Sequence, residues 1–239
     1  MIELNENIIL LYNKWKEGYV RKETEFEVMR EWVESNFTNK LYNHDEFEYY
    51  KNGITYNHHS KSKFEADIHC LVIRDRYLVD GKLPYQFISV SNSFSFKYCS
   101  SLTSLENSPI DVGGTFYCMY CDNLKSLEGA PKNIKYSFVC TNNHALESIE
   151  GIPEEINNFC NFYNCYSLKT LDGAPKIISK ELNLSGCDNI ESFDGLSNTT
   201  IKGNLILPKK FIGVKLPKGL SIEGKVYHRD NYEGIGIIS

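Results

Sequence analysis

The residues best equipped for chemistry are two cysteines, Cys118 and Cys121, spaced Cys-x-x-Cys. Thiolates at that spacing bind zinc or run thiol–disulfide exchange, but zinc needs a second pair or histidines at matching distances. The histidines do not offer them. His58 and His59 share a polar loop, while His44, His69, His144 and His228 stand apart. Glu106, Glu128, Glu150, Asp172 and Asp194 recur at a fixed interval, and a row of acids can line a calcium edge. The free interchange of Asp and Glu argues instead for acids that accept bonds from the N–H groups of a tight turn. No spacing sets out a Ser–His–Asp or Cys–His group, and Gly113-Gly114 leads into a strand, not the helix of a phosphate loop. The expectation is a non-enzyme, with no catalytic residue, no bound metal and no cofactor.

What positions these residues is a repeat of 22. Pro109, Pro131, Pro153 and Pro175 stand at that interval, as do the pairs Leu102/Leu105, Leu124/Leu127, Leu146/Ile149, Leu168/Leu171 and Ile190/Phe193. A period of roughly 20–29 residues with an L-x-x-L frame and a fixed Cys or Asn reads as a leucine-rich-repeat solenoid. The period is too short for a full helical arm, so the fold class is a β-rich leucine-rich-repeat solenoid with little or no convex helix.

Stacking the copies turns each repeat position into a column, with strands about 4.8 Å apart. Two columns face inward: Phe94, Phe116, Phe138, Cys160, Leu182 and Phe96, Cys118, Cys140, Phe162, Leu184. Where the first shrinks from Phe to Cys, the second grows from Cys to Phe, which keeps core volume constant. Cys99, Cys121, Cys165 and Cys187 fill a buried rung that Asn143 completes. Gly129, Gly151, Gly173 and Gly195, with Asn107 on the first rung, mark a corner that calls for φ > 0. Ser104, Ser126, Ser148, Thr170 and Ser192 offer hydroxyls to the adjacent coil, and Lys125, Glu147, Lys169 and Glu191 alternate in sign.

Bulk composition narrows the class further. With 41 % hydrophobic and 24 % charged residues, the chain has the balance of an ordinary folded protein. A net charge of −5 argues against nucleic acid as the partner. No apolar run is long enough to cross a membrane, so no membrane contact is expected. The opening MIELNENIILLYNKWKEG has no secretory leader, and eight cysteines without one point to a reducing, cytoplasmic compartment.

Four regions follow. Residues 1–45 read as an α-helical N-terminal cap, with stripes Ile8, Leu11, Tyr12, Trp15 and Phe26, Met29, Trp32, Val33, the second opened by a Thr24–Glu27 capping box. Residues 46–93 hold a hairpin at Asn52-Gly53 and a degenerate first repeat, in which Ile68–Ile73 is a strand and Leu78-Val79-Asp80-Gly81 imitates the later corner. The regular solenoid is 94–207. Residues 208–239 read as a closing cap over an otherwise unpaired edge.

The strings SLTSLENSPIDVGGTFYC (101–118), SLEGAPKNI (126–134) and TLDGAPKII (170–178) resemble the tandem repeats of leucine-rich-repeat-like proteins from tailed bacteriophages. The segment FEADIHCLVIRDRYLVDGKLP (64–84) is similar to the degenerate strand that precedes them. The resemblance spans about residues 64–207. It implies the solenoid fold and a host or phage protein as partner, and carries no catalytic motif.

Alternation along the strands places large groups on the outer face: Tyr98, Tyr117, Met119, Tyr120, Asn142, Phe159, Asn161, Tyr163 and Asn164. Tyr, Phe and Met suit interface centres and Asn adds adaptable hydrogen bonds. The leading expectation is a protein-binding module that uses this concave sheet, with counter-defence or host takeover as its setting. The alternatives are an assembly protein of the phage particle, or an enzyme whose site lies in 37–66, around Asp45, His58 and His59.

Overall fold

The computed structural model describes residues 54–56, 63–66, 70–84 and 86–229. They wind as a parallel β-solenoid, and each coil contributes one short strand to each of two faces. One face is a continuous eight-stranded sheet. It contains β3 (Cys70–Ile73), β5 (Ser93–Lys97), β7 (Phe116–Met119), β9 (Phe138–Val139), β11 (Cys160–Asn161), β13 (Leu182–Asn183), β15 (Leu205–Leu207) and β17 (Val226–His228). The other face holds β2 (Lys63–Ala66), β4 (Gln86–Val90), β6 (Asp111–Val112) and β8 (Asn133–Ile134), then β10 (Glu155–Ile156), β12 (Ile177–Ile178), β14 (Thr200–Ile201) and β16 (Ser221–Ile222). β1 (Ile54–Tyr56) joins β2 antiparallel, with Ile54 opposite Ala66. The expected Asn52-Gly53 hairpin and the helical cap of residues 1–45 lie outside the described residues.

The register is the one the columns demand. Phe94 pairs with Phe116, Phe116 with Phe138, Phe138 with Cys160, and Cys160 with Leu182. Both inward columns are buried. Rings run up the core, from Phe94 on Phe116 (centroids 6.1 Å) through Phe138 (5.2 Å) to Phe162 (5.9 Å). The path changes column between Phe138 and Phe162, where the sequence exchanges Phe for Cys. A third side is pinned by the backbone N–H groups of Glu147, Lys169 and Glu191, which donate to the carbonyls of Lys125, Glu147 and Lys169.

The cysteine rung has a shared task. The Cys99 Sγ donates to Ile73 O at 3.3 Å, Cys165 to Cys140 O at 3.1 Å, and Cys187 to Phe162 O at 3.0 Å. On the intervening rung, the Asn143 Nδ2 donates to Cys118 O at 2.8 Å, and its Oδ1 accepts from the Cys121 N–H at 2.7 Å. Thiol and amide interchange at Cys99, Asn143, Cys165 and Cys187 because each aims a small donor at a carbonyl of the preceding coil, whereas the Cys121 Sγ donates to Met119 O of its own coil at 3.5 Å. Burial pushes the thiols of Cys160, Cys165 and Cys187 up from their ordinary range, so they stay protonated at neutral pH.

At the corner, Asn107, Gly129, Gly151 and Gly173 have φ of 66°, 88°, 102° and 80°. A Cβ on Gly151 would stand 2.5 Å from Leu127 O in the coil below, so the position forbids a side chain on two counts. Gly195 departs from its column: its φ is not left-handed. The reason is one extra residue in this coil. The corner becomes a 3-10 turn at Asp194–Leu196, and Ser197 stands where the other coils have proline.

Two expectations are corrected. The hydroxyls of Ser104, Ser148, Thr170 and Ser192 do not bond the adjacent coil. Each accepts from the N–H two residues ahead in its own coil, that of Glu106, Glu150, Asp172 or Asp194, at 3.0–3.1 Å. The hydroxyl thus takes the turn N–H expected for the acid, because its shorter side chain closes the tighter ring. Glu106 turns its carboxylate to Lys82 Nζ at 2.5 Å. Of the alternating charges, Lys169 pairs with Glu147 at 2.8 Å.

Residues 208–229, expected as a closing cap, continue both ladders through β16 and β17. Val226, in the column of Leu205 and Leu182, is 39 % exposed where those two are buried. The second face is interrupted once, between β8 and β10, where the Asn157 Nδ2 lies 3.4 Å from Ile134 O in place of a backbone ladder. A groove of about 480 Å³ opens there, flanked by Lys132 and Lys135 on one side and Glu154 and Glu155 on the other. No helix among the described residues is long and apolar enough to cross a membrane.

Two outcomes follow. Gly151→Val should lower stability by more than about 1 kcal/mol, read from a chemical melt; an unchanged midpoint would contradict the packing at this corner. Cys99, Cys118, Cys121, Cys140, Cys160, Cys165 and Cys187 are buried and unpaired. A water-soluble disulfide reagent should therefore titrate them only after denaturation, and rapid reaction of the native chain would show the core is open.

Candidate functional site

The outward residues of the eight-stranded sheet fall on two surfaces that the sequence had merged. Tyr117, Met119, Phe159, Asn161 and Tyr163 lie on the sheet face, each half-buried. Tyr98, Tyr120, Asn142 and Asn164 do not. They close their strands in left-handed conformation, at φ of 56°, 57°, 55° and 63°, with Gly186 continuing the column at 76°. The turn swings these side chains from the face to its rim.

On the rim the side chains stack as ladders. Tyr98 and Tyr120 lie with ring centroids 4.7 Å apart and planes 23° apart, with the Lys97 ammonium 5.4 Å from the Tyr98 centroid. The Asn164 Nδ2 donates to the Asn142 Oδ1 at 3.0 Å. Two residues further along the coil, His144 and Tyr166 stack at 4.4 Å and 9°, and the His144 Nδ1 approaches the Asp122 Oδ1 at 2.9 Å. Tyr98 is 53 % exposed, Tyr120 39 % and Tyr166 40 %. His144 and Tyr166 escaped the sequence reading, although their separation of 22 is the signal that could have found them.

Left-handed backbone is costly for tyrosine. A non-glycine side chain there meets the following carbonyl, at about 1–2 kcal/mol per residue, and Asn and Gly are the types that tolerate it. The later rungs use Asn, Asn and Gly, so the backbone alone does not call for tyrosine. Ring stacking offsets part of this cost, by about 0.5–1.5 kcal/mol.

The sheet face changes character along its length. Around β7 Tyr117 stands between Val139 and Ser95 on the neighbouring strands, and Met119 is paired with Lys97. Around β11 the Lys180 Nζ sits 5.1 Å from the Phe159 ring centroid, and the Tyr163 N–H donates to the Asn161 Oδ1 at 2.9 Å. Further on, Glu181, Asn183 and Ser185 are nearly buried although they point outward. The Asn183 Oδ1 accepts from the N–H and the hydroxyl of Ser185, at 2.9 and 2.6 Å, while its Nδ2 has no hydrogen-bond partner among the described residues. Burial pushes the Glu181 carboxyl up from the ordinary carboxylate range, against the opposing pull of the Asn204 side chain and the Arg229 charge. Strict alternation along 181–185 turns these three outward and carries no sign of their burial.

Cys118 and Cys121 stay in the core, and among the described residues no three His, Cys, Asp or Glu side chains converge as a metal site. The Asp45, His58 and His59 segment lies outside the described residues. Compared with protein-family models, with characterised proteins and with solved structures, the chain matches none.

A pH-dependent outcome follows from Glu181. A carboxyl whose folded pKa is raised contributes stability below its unfolded value, and loses it as pH rises through the folded one. Glu181→Gln mimics the neutral form. It should melt higher than the parent at pH 7, and the difference should shrink towards pH 4. A variant that melts lower at pH 7 would mean that the carboxylate is well compensated where it stands.

Proposed function

We propose that this chain is a leucine-rich-repeat-type solenoid that acts as a non-enzymatic protein-binding module, holding its partner across the eight-stranded face and its aromatic rim. The observation that carries this reading is the pair Tyr98 and Tyr120. Tyrosine stands there in strained, left-handed backbone where Asn and Gly serve the same turn on later rungs, and both rings remain exposed. Strain held at a surface position points to use of the side chain. Tyr117, Met119, Phe159 and Tyr163 extend the surface across neighbouring strands, with Asn142, Asn161 and Asn164 as its amide donors and acceptors. Tyrosine-rich surfaces of this kind form the centres of protein interfaces. The resemblance of 101–118, 126–134 and 170–178 to phage repeat proteins supports a host or phage protein as partner, met in the cytoplasm during takeover or counter-defence.

The test is affinity capture by the intact chain, followed by titration of whatever protein is captured. Tyr120→Asn and Tyr117→Ala should each weaken that partner by about thirtyfold, equivalent to about 2 kcal/mol. Tyr120→Asn should keep or raise the melting temperature, since it relaxes the turn. Parental affinity in both variants would place the interface elsewhere.

A further inference from the structure

On the second face the backbone stitches each coil to the one before it, with one exception. The N–H groups of Lys132 and Asn133 donate to Ile110 O, and that of Lys135 donates to Val112 O. Two coils on, those of Lys176 and Ile177 donate to Glu154 O, and that of Ser179 to Ile156 O. By the same rule the Glu155 N–H should reach Lys132 O and the Asn157 N–H should reach Ile134 O. Neither bond is made, and β8 and β10 belong to separate sheets. On either side of this seam the coils are joined. Glu147 N–H donates to Lys125 O ahead of it, and Phe138 and Cys140 donate to Phe159 O and Asn161 O after it.

Nothing in the register keeps the seam apart. Ile134 and Ile156 are buried in one core column, 22 residues apart like Val112 and Ile134 before them. Outside the core, Lys132 and Lys135 stand on one lip, and Glu154 and Glu155 on the other. Opposite charges on adjacent strands favour pairing. Side chains hold the ladder's place instead. The Asn157 Nδ2 reaches Ile134 O at 3.4 Å, where its own N–H would bond, and the Glu154 carboxylate turns away to Lys176 Nζ at 2.8 Å. At the end of the seam, the Asn158 Oδ1 is buried and has no hydrogen-bond partner among the described residues.

We infer that this seam is a hinge, at which the second face zips between β8 and β10 and parts again while the eight-stranded face holds the coils together. Zipped, the N–H groups of Glu155 and Asn157 take the carbonyls of Lys132 and Ile134, and the Asn157 side chain is displaced. Glu154 then lies between Lys132 and Lys176. Parted, the same groups face the water of the groove. Exchanging bonds to water for bonds in a ladder changes the free energy little, which is the condition for two states to coexist. Closing one side of a step whose other sides are already joined tilts the coils beyond β10 against those before β8. The eight-stranded face must then bend about β9 and β11. A guest in the groove fits the lips less well, since a basic lip and an acidic lip complement each other better than they do a common ligand. The inference is independent of the protein-binding reading.

The experiment is amide hydrogen exchange on the full chain, read residue by residue by NMR. In the parent, the Glu155 amide should exchange on the order of a hundredfold faster than those of Asn133, Ile177 and Ser179, which are bonded in the ladder. Asn157→Ser introduces the residue that the zipped rung carries at Ser179 and frees Ile134 O. It should slow the Glu155 amide by about tenfold or more. A second variant, Asn133→Cys with Glu155→Cys, places one exposed thiol on each lip. Oxidised glutathione should cross-link the pair, because the zipped ladder brings their Cα atoms to about 5 Å. The Asn157 amide should then slow to the rate of Ser179. Unchanged exchange at Phe138 and Cys160 checks that each variant is folded, and the cross-link decides if Asn157→Ser is not. A Glu155 amide as slow as Ser179 in the parent would mean a seam closed throughout. One that stays fast in Asn157→Ser, with no cross-link between the paired cysteines, would mean a fixed gap. Either result overturns the hinge.

Discussion

Phe116 donates its N–H to the carbonyl of Ser137, one coil on, and lays its ring near that of Phe138. The same backbone bond is made by Phe94 to Thr115, Phe138 to Phe159, Cys160 to Glu181, Leu182 to Asn204 and Leu205 to Lys225. Everything else in the molecule hangs on this in-register ladder. It fixes which residues meet up the core, brings the cysteine rung within reach of a carbonyl in the coil behind, and turns single side chains into the stacked rows of the rim. A register slip of one residue would turn each core column to solvent, so core and surface are specified together.

Much of this was legible because a ladder with a fixed period converts sequence distance into spatial contact. The Phe-to-Cys exchange between the two inward columns could be read before any coordinates, since only stacked rungs make it volume-neutral. What escaped reading depends on local backbone angles. Nothing in the identity of Tyr98 or Tyr120 announces left-handed φ, and only Asn142, Asn164 and Gly186, further along the column, are types that favour it. The hydroxyl column was placed correctly but aimed wrongly, since choosing between a bond along the coil and one across coils turns on a side-chain torsion. The break between β8 and β10 left no mark in the repeat, which keeps its period through both strands.

The surface has a physical division of labour. Tyr117 and Met119 stand on β7, amides follow around β11, and Glu181, Asn183 and Ser185 make a dry polar patch further on. A solenoid permits such a gradient because each coil touches only its neighbours, so composition can drift along the axis without disturbing a common core.

The extra residue at Asp194–Leu196 has a quieter consequence. Leu182 to Leu205 spans 23 residues and Leu205 to Val226 spans 21, and on the second face Ile178 to Ile201 and Ile201 to Ile222 repeat the same two steps. A length error in one coil is cancelled in the next, and both faces return to phase. Gly195 gives up the left-handed conformation of its column to a 3-10 turn and the proline is replaced by Ser197, yet neither ladder is interrupted there. Such a chain is governed less by the length of each repeat than by agreement between its sides. It can absorb an insertion at a corner, where the two sheets hand over to one another, but not within a strand, where the two sides would fall out of step.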